Sequence, residues 1–102
     1  MGKHHLTASC YDKRGTLISR AVNSYTRTHP VQAAFAKQVG MPMCTYLHAE
    51  IAALLKCGRR VPYSIVVERY KKDGSPGNAK PCPICEAAIK AWGVRRVTFT
   101  LG

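Results

Sequence analysis

The chain of 102 residues has room for one domain with a modest core, and its 46% hydrophobic content excludes an intrinsically disordered chain. Sixteen Lys and Arg against five Asp and Glu give a net charge of +11; this is read either as solubility on a randomly basic surface or as the mark of an anionic partner, nucleic acid or a phosphorylated small molecule. No run approaches the ~20 apolar residues of a membrane span, and Met1-Gly2-Lys3-His4-His5 has no apolar signal-peptide core, so the expectation is a cytoplasmic protein without a membrane partner.

Residues 4–12 carry strand-compatible side chains, Asp12-Lys13-Arg14-Gly15 forms a turn, and residues 16–22 return as a second strand of an antiparallel hairpin. Residues 23–30 are rich in turn formers, and Pro30 disfavours helix at His29. A short helix is expected over 31–39, stopped by Gly40. From Tyr46 to Cys57, Leu47, Ile51, Leu54 and Leu55 recur at helical spacing, and Gly58 closes that helix. The β-branched run at 63–67 reads as a buried central strand. Residues 71–80 form a basic, Gly- and Pro-bearing loop, the most mobile-looking part of the chain. A helix over 82–92, ended by Gly93, and an alternating strand over 95–101 complete a β-β-α-α-β-α-β order.

Five cysteines, an odd number that includes a tight C-x-x-C, favour metal or thiol chemistry over a disulfide framework. Cys82 and Cys85 stand at i and i+3 and share one face of a first helical turn. Pro81 suits a helix start, and the positive end of the helix favours thiolate. His48 opens the other helix. If both helix starts point to one place, the three side chains form a His-Cys-Cys set, which suits a zinc ion with one position left for water. Such a water loses its proton near neutral pH, its pKa falling from ~15.7 to about 7. Glu50, two residues after His48, is then the general base and later the general acid.

His48-Ala49-Glu50 followed by Pro81-Cys82-Pro83-Ile84-Cys85, with His48 and Cys82 34 residues apart, resembles the zinc-dependent cytidine/deoxycytidylate deaminase superfamily. The resemblance implies an α/β fold of cytidine-deaminase type, a three-layer or two-layer sandwich whose mixed sheet of about four strands carries both zinc-bearing helices on one face. It implies one Zn2+ per chain on His48, Cys82 and Cys85. Glu50 moves protons while hydroxide attacks the amine-bearing ring carbon and ammonia leaves. The family places an asparagine after its second strand, in the pocket for base or sugar, and Asn23 matches it. Ala49, His29 and Tyr46 complete the expected substrate contacts, with Tyr25 or Tyr46 offering a ring for stacking. The usual first helix before residue 4 and a fifth strand after residue 102 are not found, so one sheet face is expected to be open and covered by self-association or another partner.

The expected reaction is deamination of a cytosine-type base in an anionic nucleotide or in single-stranded nucleic acid. An adenine target in RNA is the alternative within the same chemistry. A non-catalytic nucleic-acid-binding module is the alternative outside it. In that reading Cys44, His48, Cys82 and Cys85 close a four-ligand structural zinc site. Cys10 and Cys57 are expected to be packed thiols, and Trp92 a core or interface residue.

Overall fold

The computed structural model describes residues 5–101. In chain order the elements are β1 (Leu6–Tyr11), β2 (Leu17–Val22), α1 (Pro30–Gln38), α2 (Ala49–Lys56), β3 (Ser64–Arg69), α3 (Pro83–Trp92) and β4 (Arg96–Phe99). The β1–β2 hairpin closes on Asp12, whose Oδ1 accepts from the N–H groups of Arg14 and Thr16, both at 2.9 Å. Gly15 completes that turn at φ 85°, a left-handed conformation costly for any side chain with a Cβ.

The four strands form one mixed sheet in the order β2-β1-β3-β4. β1 runs antiparallel to β2 and to β3. β3 and β4 are parallel, and α3 supplies the crossover that a parallel pair requires. Pairing puts Ala8 beside Ala21 and Val67, and Cys10 beside Ser19 and Ile65, on one face of the sheet. Against that face packs α2, and Ile51 and Leu54 of α2, Ile84 and Ala88 of α3 and Ala36 of α1 are buried in one apolar cluster, with α1 lying on α3. Phe35 of α1 meets Trp92 of α3 with ring centroids 6.2 Å apart, so Trp92 is a core-edge residue as expected.

Extents of 37 × 31 × 19 Å accommodate one sheet and one layer of helices. The fold is the expected deaminase-like α/β sandwich in its two-layer form, with both motif-bearing helices on one face. No described helix covers the other face, where Arg20 bonds across to Ser9 at 2.9 Å and Val22 and Thr98 stand exposed. No helix among the described residues is long and apolar enough to cross a membrane.

Three expectations shift. His4, which begins the expected first strand, lies outside the described residues, and the strand runs from Leu6. The helix expected from Tyr46 begins only at Ala49. Tyr46 is drawn instead into a bridge with Thr28, while Leu47 donates to Arg27 O and accepts from Ser24 N–H, both at 2.9 Å. These cross-loop bonds outweigh the weak local preference for helix. Finally, the far end of the 71–80 loop is tied to neighbouring backbone: Gly77 N–H reaches Arg69 O at 2.7 Å, Ala79 N–H reaches Thr100 O at 2.9 Å, and Thr100 Oγ1 donates to Gly77 O at 2.7 Å.

Candidate metal centre and its cleft

Two helix starts meet beside the sheet. His48 is the N-cap of α2 and Cys82 the N-cap of α3, both with extended backbone. N-caps are normally Ser, Thr, Asp or Asn, whose oxygens accept from the first turn. Here neither side chain makes a capping hydrogen bond. Both turn toward each other, and Cys85, three residues into α3, joins them. His48 Nδ1 lies 3.2 Å from Cys85 Sγ and 3.5 Å from Cys82 Sγ. All three ligand atoms fall within 4.8 Å of one another.

Tetrahedral zinc with Zn–N near 2.0 Å and Zn–S near 2.3 Å separates nitrogen from sulfur by about 3.5 Å. The observed nitrogen–sulfur distances of 3.2 and 3.5 Å lie close to that spacing. Protonation points the same way. Hydrogen bonding from Cys85, then from His48, lowers the Cys82 thiol to about 4. Cys85 is pushed up, first by its bond to Cys82 and then by burial. His48 is raised, chiefly by Cys82. Positive charge among the three atoms relieves this competition of two sulfurs for one proton.

The closed four-ligand alternative finds no support, because Cys44 lies outside the close group of ligand atoms. It lines the adjoining cleft instead. Cys44→Ser is therefore expected to leave bound zinc at the wild-type level, as read by elemental analysis; loss of the metal would restore the structural-zinc reading.

Glu50 sits in the first turn of α2, 4% exposed. Burial is the main cause of its raised pKa, opposed by its own backbone N–H and by His48. It forms part of the wall of a 420 Å³ cleft together with His48 and Cys82.

The other expected substrate contacts divide. Asn23, Ala49 and Tyr46 line this cleft, as does Tyr25. Asn23 Oδ1 also accepts from Leu6 N–H at 2.9 Å and so ties the end of β2 to the start of β1. Ala49 is fully buried, and Tyr46 is half exposed at the rim. His29 does not join them. It caps α1, its Nδ1 accepting from Val31 N–H at 3.1 Å, and borders a separate 500 Å³ groove.

Two residues escaped the sequence reading. Lys80 lines the cleft; its position directly before the Pro81-Cys82 motif is the one signal that could have found it. Gln32 of α1 is fully buried; its Oε1 accepts from His48 N–H at 3.1 Å and its Nε2 donates to Cys44 O at 3.3 Å. It fixes the backbone that presents the imidazole. Nothing in sequence distinguishes it from a solvated helix glutamine. Gln32→Leu strands a donor and an acceptor, so a stability loss of about 1–3 kcal/mol is expected in a denaturant melt, together with weaker zinc binding.

The family model described as "Cytidine and deoxycytidylate deaminase zinc-binding region" matches residues 2–101. No curated protein and no solved structure gives a match. The family match extends over nearly the whole length, and the fold and the His-Cys-Cys group that accommodates one Zn2+ agree with it; the chain belongs to the cytidine and deoxycytidylate deaminase zinc-binding family.

Proposed function

We propose that the protein hydrolyses the exocyclic C–N bond of a cytosine-type base carried on an anionic group, either a nucleotide of the deoxycytidylate kind or single-stranded nucleic acid. The observation that carries this reading is the placement of Glu50: a buried carboxyl beside a three-atom zinc site, in the wall of an open cleft.

His48 Nδ1, Cys82 Sγ and Cys85 Sγ would hold the ion. Zinc held there supplies Lewis acidity and brings the pKa of water from ~15.7 toward about 7. Glu50 carries one proton of the attacking water to the neighbouring ring nitrogen and the second to the exocyclic amine. The water oxygen becomes the ring carbonyl, and the amine departs as ammonia. α2 holds the carboxyl rigidly, because Ala49 and Ile51 on either side are fully buried. Tyr25 and Tyr46 offer ring faces to the base, and Lys80 offers a cation to the phosphate of its carrier.

A substrate panel tests this reading: cytidine, deoxycytidylate, a cytosine-bearing single strand of DNA, its duplex, and RNA, each followed by ammonia release and product mass. Ammonia with a mass gain of one from deoxycytidylate or the single strand, and little from unphosphorylated cytidine, supports it. Turnover of adenine-bearing substrates alone, or of none, overturns it.

A further inference from the structure

Three turns gather at the end of the molecule away from the metal centre. Tyr63 N–H reaches Tyr11 O at 2.9 Å, which brings the segment after α2 to the β1–β2 hairpin tip. Arg60 reinforces this contact through Asp12 at 3.6 Å. Arg95 N–H reaches Tyr63 O at 2.9 Å and brings the α3–β4 turn to the same place. These turns, with the first residue of β4, carry Lys13, Arg14, Arg59, Arg60, Arg95 and Arg96, all exposed. Asp12 is the one carboxylate among them, and Arg60 engages it.

Helix electrostatics do not account for the cluster. Lys56 and Lys90, in the last turns of α2 and α3, already answer the negative helix ends. The six cations lie beyond those turns, where like charges repel. Nor do they serve the cleft: α2 presents His48 and Glu50 at its first turn and ends eight residues later, about 12 Å away along the axis. None of the six borders the 420 Å³ cleft or the 500 Å³ groove.

We propose that this basic pole is a docking surface for the phosphate backbone of a nucleic acid. Five of the six cations are arginines, whose planar fork matches two phosphate oxygens at once. They project from turns rather than lining a hollow, so they suit an extended polyanion better than a small anion that needs enclosure. The surface gives affinity without reading bases, and its binding weakens steeply with salt. It stands independently of the deaminase reading, because binding is measured without turnover.

Zinc-loaded protein is titrated with a labelled 30-nucleotide single strand and with its duplex across a salt series, by fluorescence anisotropy. The pole variant R14E/R59E/R95E is compared with K37E/K71E/K72E, which makes the same charge change at exposed lysines elsewhere. The pole variant is expected to lose at least tenfold in affinity. Its slope of log K against log salt should flatten by about 2 on the single strand and about 3 on the duplex, for three lost phosphate contacts. The control variant should lose much less, and both should melt near wild type. Equal losses in the two variants, wild-type affinity in the pole variant, or equally tight binding of polyglutamate would each overturn the proposal.

Discussion

Replacing Glu50 by Gln is expected to lower turnover by about 10²–10⁴-fold while the protein keeps its zinc. The carboxyl is 4% exposed and lies in the wall of the cleft beside the ligand group, so its loss touches proton transfer directly. Gln is nearly the same size and preserves packing in α2. The stability effect should run opposite to the activity effect. Burial raises the pKa of Glu50, so above the unfolded carboxyl pKa the ionised form is less favoured in the folded chain than in the unfolded one. Gln removes that cost, and the variant should melt no lower than wild type at neutral pH. Steady-state ammonia release and a thermal melt, read on the same preparation, separate the two effects. A fully active Glu50→Gln protein would remove the proton shuttle from the account.

Cys82→Ser should act through the metal. The thiolate at the cap of α3 is held low in pKa by Cys85 and His48, and a hydroxyl at that position ionises far less readily. Zinc affinity should collapse, and with it the stabilisation that binding gives the folded state. At free zinc 100-fold above the wild-type Kd that stabilisation is about 2.7 kcal/mol. For a domain near 100 residues each kcal/mol moves Tm by about 4–8 °C, so a fall of about 10–20 °C is expected. Chelated wild type is the control and should melt beside the variant. A variant that melts with zinc-loaded wild type would show that the three side chains do not hold the ion.

The metal site was legible because its chemistry demands particular residue types. Imidazole and two thiols at helix-start spacing have few other uses, and the apolar period after His48 marked one helix start, while at the other Pro83 rather than the expected Pro81 opens α3. The hairpin was legible from Asp12 and Gly15, which a tight turn requires. What sequence did not show depends on contacts between distant segments. α2 starts at Ala49 because Thr28 and Arg27 claim Tyr46 and Leu47 from across a loop. Gln32 supports His48 from 16 positions away, and a polar residue in a helix carries no mark of such a task. His29, an expected substrate contact, instead caps the helix that Pro30 starts. The choice between two and three layers rested on where α1 packs, and Phe35 meeting Trp92 puts it with α3.

Metal content measured against turnover is the most direct test of whether the His48, Cys82 and Cys85 donor set works as a catalytic zinc site. Protein purified without added metal should carry one zinc per chain, lose ammonia release in step with zinc under a chelator, and recover both when zinc returns. Full turnover from protein shown to contain no zinc would contradict the account.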